Sequence, residues 1–367
     1  MSMVRGWCPT AWRPMAAGDG LLVRVRPRLA RLDRDGMLAL CAAAARHGNG
    51  QIDVTNRANL QIRGVTDTTW QTLLADLVAL DLIDADPQRE ARRQILVAPD
   101  WSAGDDTHRI ATELERRIDE LPALPGKFGF AIDAGPAPML TGAPADLRLE
   151  RAASGTLMLR ADGRDTGMAV AAGGEVDALI ALADWFVATG GHEAGRLARH
   201  IVSLPYWAAG DDYPATPAKS LVTGRHPVGA AQPLPFGRID AETFGAALDA
   251  SRAFAVRTTP WRILLIEGAD CAPAPDPLAA VDACVGAPAC PQASVETRAL
   301  ATRLAPFVAG RLHVSGCAKG CARAAPAAIV LTGRDGRYDL SFDGRAGAPP
   351  AHGGLDAAHI LQRFGAA

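Results

Sequence analysis

Several common signals are missing from this chain of 367 residues. No apolar run is long enough for a membrane span. The most apolar helix-like stretch, residues 176–189, is short and broken by Asp177 and Asp184. Its Val176, Leu179, Ile180, Ala183 and Val187 share one face, the pattern of an ordinary packed helix. The opening fifteen residues carry Arg5 and Arg13 without a continuous apolar stretch, so they do not read as a signal peptide. With a formal net charge of −2 there is no global basic field to draw the chain to nucleic acid. Neither G-x-G-x-x-G nor a P-loop occurs, which argues against a built-in dinucleotide domain. Cysteine is present but unevenly placed: of seven, Cys8 and Cys41 stand alone and five crowd into residues 271–321. An odd, clustered set is a poor disulfide framework, and a reducing cytoplasm with a metal site suits it better.

What is present is a soluble globular composition, 49% hydrophobic, 21% charged and 5% aromatic. The length suits two to four compact units. Proline- and glycine-rich stretches at residues 121–126, 204–229 and 271–277 punctuate the chain.

An internal repeat organises it further. Arg31-Leu32-Asp33 opens a helical pattern through Leu38, Leu40 and Ala44, and a strand is expected over residues 51–65. Arg238-Ile239-Asp240 opens a second through Phe244 and Leu248, with a strand over residues 253–267. Asp33 and Asp240 are expected N-caps. Ile62-Arg63-Gly64 matches Ile266-Glu267-Gly268. Such units suggest an α+β fold of duplicated ferredoxin-like half-domains. Read as one strand, residues 51–65 put Asp53, Thr55, Arg57, Asn59, Gln61 and Arg63 on a polar face, opposite the apolar Ile52, Val54, Ala58, Leu60 and Ile62. Trp261 and Glu267 occupy the positions of Arg57 and Arg63 in the second copy. The first copy is therefore read as an anion-binding surface, the second as structural.

Cys284 and Cys290 are separated by five residues, Cys317 and Cys321 by three. Four thiolates suit a cubane cluster, and soft sulfur ligands also suit zinc. The five-residue gap departs from the tight pairs usual in structural zinc sites. Spacing alone leaves an iron–sulfur cluster, zinc and unconnected buried cysteines open. Gly286, Gly316 and Gly320 flank the four and would let backbone N–H groups approach sulfur closely. Cys8, Cys41 and Cys271 read as small packed hydrophobes.

The contexts ACVGAPACPQA and VSGCAKGCA resemble the four-cysteine motif that holds a [4Fe–4S] cluster in the sirohaem-dependent nitrite and sulfite reductases. TNRANLQIRG, from Thr55, resembles that superfamily's arginine-bearing strand, and LPGKFGFAID, from Leu124, its lysine-bearing strand. The opening RGWCPTAWRPMAAGDGLLVRVRP and the phrase PLPFGRID are similar to the precorrin-3B synthases of the aerobic cobalamin pathway, a branch of the same superfamily.

The resemblance implies four units: a first ferredoxin-like half (1–90), a central α+β domain on the substrate side (91–215), a second ferredoxin-like half (216–275) and a [4Fe–4S] cluster domain (276–367). It implies Cys284, Cys290, Cys317 and Cys321 as cluster ligands. Arg57, Arg63 and Lys127 would hold carboxylates of a tetrapyrrole and Gln61 would add a neutral hydrogen bond, guanidinium groups being well matched to carboxylates. Arg24, Arg26 and Arg160 are weaker candidates. The implied reaction is hydroxylation of precorrin-3A at C20 with O2 and lactone formation, fed with electrons by a separate NADH-linked reductase. An additional non-haem iron is implied, but the eight histidines, among them His192 and His200, form no clear two-His-one-carboxylate set. A sirohaem nitrite or sulfite reductase is the alternative, with sirohaem as cofactor. A non-enzymatic electron carrier or zinc-stabilised module would leave the basic strand and the duplication unexplained.

Overall fold

The computed structural model describes residues 8–269 and 276–366; Cys271 and the reading placed on it lie outside them. Among the described residues the strands form four five-stranded sheets. The α+β class and the duplication are both observed.

The two repeats are built alike. In each, a short extended segment leads through an Asp cap into a helix. Asp33 accepts from Gly36 N ahead of helix Arg34–His47, and Asp240 from Thr243 N ahead of helix Ala241–Asp249. The first helix is rich in alanine and buries Met37, Leu40, Cys41 and Ala44, a stripe set by the 3.6-residue period. Left-handed backbone recurs at matching places: Leu29 with Phe236, Ala58 with Arg262, Gly64 with Gly268.

The expected single strands of residues 51–65 and 253–267 are each a β-hairpin. Gln51–Val54 pairs antiparallel with Leu60–Val65, and Ala255–Thr258 with Ile263–Glu267. Residues 55–59 form the first turn, closed by Thr55 N donating to Asn59 O. The polar face survives for its strand residues, because Asp53 stands directly opposite Gln61 and opposed residues point the same way. Arg57 is carried on the turn instead.

The halves also exchange an edge. Strand Arg238–Asp240 of the second repeat closes the first-half sheet beside Gln51–Val54. Strand Arg31–Asp33 of the first repeat closes the second-half sheet beside Ala255–Thr258. One apolar core accordingly runs through both, from Val23, Leu40 and Ile62 to Ile239, Leu248 and Ile266.

The central sheet has three parallel strands, Ile95–Val97, Phe130–Asp133 and Leu147–Arg151, followed by antiparallel Leu157–Ala161 and Met168–Val170. Helices Asp106–Arg116 and Glu175–Ala188 contribute Ile110, Leu114, Val176, Leu179 and Phe186 to its core. The lysine-bearing strand is shorter than expected. It begins at Phe130, and Lys127 sits in a turn closed by Phe128 N donating to Pro125 O.

In the C-terminal sheet, Val281–Ala283, Leu312–Ser315 and Ala327–Arg334 run parallel, and Arg337–Gly344 and His352–Leu355 complete it antiparallel. Among the described residues no helix is long and apolar enough to cross a membrane.

Candidate functional site

The polar face of the first-half sheet is a row of charges. Arg24, on Gly20–Val25, lies opposite Gln61 and donates to its side-chain oxygen through Nε (3.2 Å) and Nη2 (2.5 Å). Two residues along, Arg63 donates to Asp19 (2.7 and 2.8 Å) and Asp53 (2.9 Å). Arg238, from the exchanged strand, reaches Asp53 at 3.1 Å. The two arginines of the row therefore differ. Arg63 is 3% exposed and saturated by carboxylates; burial works against its charge, but Asp19 and Asp53 outweigh it and hold its pKa above the usual value. Arg24, 8% exposed, has no carboxylate within ion-pair distance among the described residues, and burial with Arg26 nearby lowers its pKa to about 10.

Arg57 leans from the first hairpin turn onto the central domain. Its Nη2 donates to the Lys127 carbonyl (2.8 Å) and its Nη1 to Gln94 Oε1 (3.2 Å). Gly129 makes room for it, since a Cβ there would stand 3.1 Å from Nη1. No carboxylate pairs with Arg57 among the described residues, and burial holds its pKa below the usual value. Arg196, tied to buried Asp146 at 2.8 Å, adds positive charge beside it. The Lys127 ammonium likewise has no anionic partner among the described residues. Cys8 is half-buried and meets the Arg24 guanidinium, so it is a polar neighbour of this cluster; Cys41 is core, as expected. Arg26 and Arg160 are committed elsewhere, to Glu90 and Glu150.

The four motif cysteines hang from the carboxyl ends of two adjacent parallel strands, where open α/β sheets commonly place ligands. Cys284 follows Val281–Ala283 directly, and Cys317 follows Leu312–Ser315 by two residues. The Cys284 amide donates to Val314 O (3.3 Å), and the Gly316 amide to Cys284 Sγ (3.2 Å). Thr297 Oγ1 and Ser315 Oγ pin the carbonyls of Cys284 and Cys317 at 2.6 and 2.7 Å. Gly286 has φ +69°, and a Cβ on it would strike Thr297; one on Gly316 would strike Ala293. Partial desolvation by the surrounding loops pushes the Cys321 thiol up even though the residue reaches the surface; Lys319 opposes this, and Cys284, Cys317 and Cys290 all add to it, so the four sulfurs share one neighbourhood. Cys321 alone of the four is exposed.

Two junctions bring these loops to the rest of the molecule. The Gly18 amide donates to Ala289 O (2.9 Å), inside the first cysteine loop, and a Cβ on Gly18 would lie 1.9 Å from Pro288 O. Asp19, next in sequence, is the residue that grips Arg63. On the other side Asp282 receives Arg262 (3.0 Å), Arg311 (3.2 Å) and Arg323 (3.5 Å), while Arg262 Nη2 donates to Ala322 O (2.6 Å), just past Cys321.

The structure thus gathers Arg57, Gln61, Arg63 and the Lys127 turn along one face and sets the cysteine loops against its end. Gly18, Asp19, Arg196 and Arg298, the last 3.7 Å from Asp53, join the site without having been read from sequence. Only a G-D-G turn signal marked the first two. The exposed His192 and Glu193 lie on helix Gly191–Ala194, and His200 is bound to Thr189 at 2.8 Å. Among the described residues no three His, Cys, Asp or Glu side chains close around the position of a single ion.

Chemically, the site offers uncompensated cations for a polyanion beside four sulfurs. The family model for the nitrite/sulfite reductase ferredoxin-like half domain matches residues 13–80. A protein of Sinorhizobium sp. named precorrin-3B synthase is 32% identical over 95% of this chain and 85% of its own length. The solved structure of the Mycobacterium tuberculosis NirA protein covers 90% of this chain and 76% of its own at a TM-score of 0.57 and 18% identity, which shows likeness of fold.

Proposed function

Since the chain belongs to the precorrin-3B synthase family, within the nitrite/sulfite reductase superfamily, we propose that it hydroxylates precorrin-3A at C20 with O2 and forms the lactone from the ring A acetate, a step of cobalamin biosynthesis. One oxygen atom enters the substrate and the other leaves as water, so each turnover takes two electrons and two protons. With no dinucleotide motif in the sequence, the electrons come from a separate NADH-linked reductase.

Arg57 and Lys127 hold substrate carboxylates, and the Gln61 side chain, oriented by Arg24, adds a hydrogen bond. Arg63 contributes its field to the same anions while its own N–H groups hold Asp19 and Asp53. The observation that carries this reading is the buried Arg24 and the half-buried Arg57, both left without carboxylates among the described residues on a face that leads to the cysteine loops. Buried cations are ordinarily paired, and a polycarboxylate supplies the missing partners.

Cys284, Cys290, Cys317 and Cys321 fit a [4Fe–4S] cluster. They share one neighbourhood, glycines clear the approach, and the Gly316 amide already donates to sulfur. Such a cluster, when bound, supplies electrons one at a time. For the non-haem iron that the resemblance implies, no three His, Cys, Asp or Glu side chains among the described residues close around a single ion.

The test is iron, acid-labile sulfide and an absorption spectrum on anaerobically purified protein, followed by turnover of precorrin-3A with O2 and a reductant. Iron and sulfide without a sirohaem band, together with an oxygenated product, are expected. A sirohaem band, or nitrite or sulfite reduction without precorrin turnover, would move the assignment to the reductases.

A further inference from the structure

Arg298 opens helix Arg298–Leu304, eight residues after Cys290. Its Nε and Nη1 are closed off from water, and neither has a hydrogen-bond partner. The nearest carboxylate, Asp53, is 3.7 Å from Nη2 and is already shared between Arg63 and Arg238. Phe236 lies under the guanidinium, 5.7 Å from Cζ to the ring centroid. Burial, followed by the effects of Asp53, Arg238 and Arg63, leaves the pKa at about 10, so the group is charged at neutral pH. A half-buried cation with two nitrogens sealed from water and so poorly neutralised within the protein calls for an anion close by. Cys284, the first of the four motif cysteines, acts on it in the same sense as Asp53.

We propose that Arg298 is the fixed counter-cation of the iron–sulfur cluster and sets its reduction potential. The inference rests on the cluster reading above. Four thiolates make the cluster an anion, and reduction adds one more negative charge. A guanidinium on the Cys284 side, with two of its nitrogens sealed from water, therefore favours the reduced form, and hydrogen bonds and local charge are known levers on such potentials. Water does not reach Nε or Nη1, so this charge is screened less than a surface arginine would be. Arg298 is a positioning residue in this sense: it acts on the electron through the cluster and does not touch substrate.

The test is a potentiometric titration of the cluster, followed by electron paramagnetic resonance, in the full chain and in Arg298→Gln and Arg298→Lys. Iron and sulfide are measured on each. Arg298→Gln should lower the midpoint potential so that the reduced fraction falls about tenfold at fixed driving potential, about 59 mV for one electron. Arg298→Lys should recover most of the shift. If Arg298→Gln does not accumulate folded, Arg298→Met, of similar length and no charge, must show the same lowering. A full cluster with an unchanged potential in the uncharged variant overturns the proposal and leaves the cluster reading intact. A wild-type chain with neither iron nor sulfide overturns both.

Discussion

At the scale of single residues, partner counting separates binding groups from structural ones. Arg57 and Arg63 belong to one motif, yet the first has no carboxylate and the second has two. Arg57→Gln should therefore cost about tenfold to a hundredfold in kcat/KM for precorrin-3A, the worth of one charge-assisted hydrogen bond or somewhat more. Its melting temperature should stay near wild type; a large fall in stability with unchanged kinetics would remove Arg57 from the substrate. Glu267, the second-copy counterpart of Arg63, makes the contrasting case. It receives Arg31 (2.9 Å) and Arg257 (2.5 Å), so the pair Asp53–Arg63 recurs with its charges reversed as Arg257–Glu267. Burial raises the Glu267 pKa, but the hydrogen bonds from Arg31 and Arg257 prevail and hold it below the usual glutamate value. A carboxylate depressed on folding stabilises the protein above its unfolded pKa of about 4.3, and that contribution is lost as pH falls through the folded value. Thermal melts between pH 6 and pH 3 should show an acid-side loss that is shallower in Glu267→Gln, which is itself about 3 kcal/mol less stable at pH 7. Equal slopes for the two proteins would refute the assignment.

At the scale of elements, the sequence was most legible where the chemistry is local. Both Asp caps, the helical stripes and the cysteine pairs follow from spacings of a few residues. The hairpins were missed because nothing punctuates them in the expected way. Their left-handed turn positions are Ala58 and Arg262, where glycine or asparagine is the usual signal. The alternation of polar and apolar residues also runs on across the first turn in phase, so a hairpin and a single strand read the same. Gly18 and Arg298 were missed for another reason: their roles depend on a cysteine loop more than 260 residues away in one case and on a sheet face in the other. The Gly18 contact gives a sharp test. An alanine methyl cannot fit 1.9 Å from Pro288 O, so Gly18→Ala must lift the first-half turn from the cysteine loop. Iron per chain should fall by half or more in Gly18→Ala. Gly174→Ala, whose new methyl comes no closer than 3.4 Å to its neighbours, should retain wild-type iron. Equal iron in both would show that the turn does not support the site.

At the scale of the whole molecule, duplication and strand exchange give the halves one fate. The repeat was visible in the sequence as two Arg-x-Asp openings and two Gly-ended strands. What was not visible is that each opening strand belongs to the other half's sheet, because pairing between residues some 200 positions apart leaves no local trace. The exchange also explains why the acidic partner in each half holds two arginines: Asp53 takes Arg63 from its own hairpin and Arg238 from the other repeat, while Glu267 takes Arg257 and Arg31. Each ion-pair triad thus closes only when both repeats are present, and so does the common core. A fragment of residues 1–90 lacks the edge strand Arg238–Asp240 and the core residues Ile239, Leu248, Val256 and Ile266. Its own strand Arg31–Asp33 has no sheet to join. It should show no cooperative thermal transition alone, since the remaining burial cannot offset its chain entropy. Mixing it with residues 216–275 should restore a concentration-dependent melt. A cooperative transition in the isolated fragment would mean that the exchanged strands are ornaments on self-sufficient halves, and that the alignment of Arg57, Arg63 and the cysteine loops does not depend on the interlock.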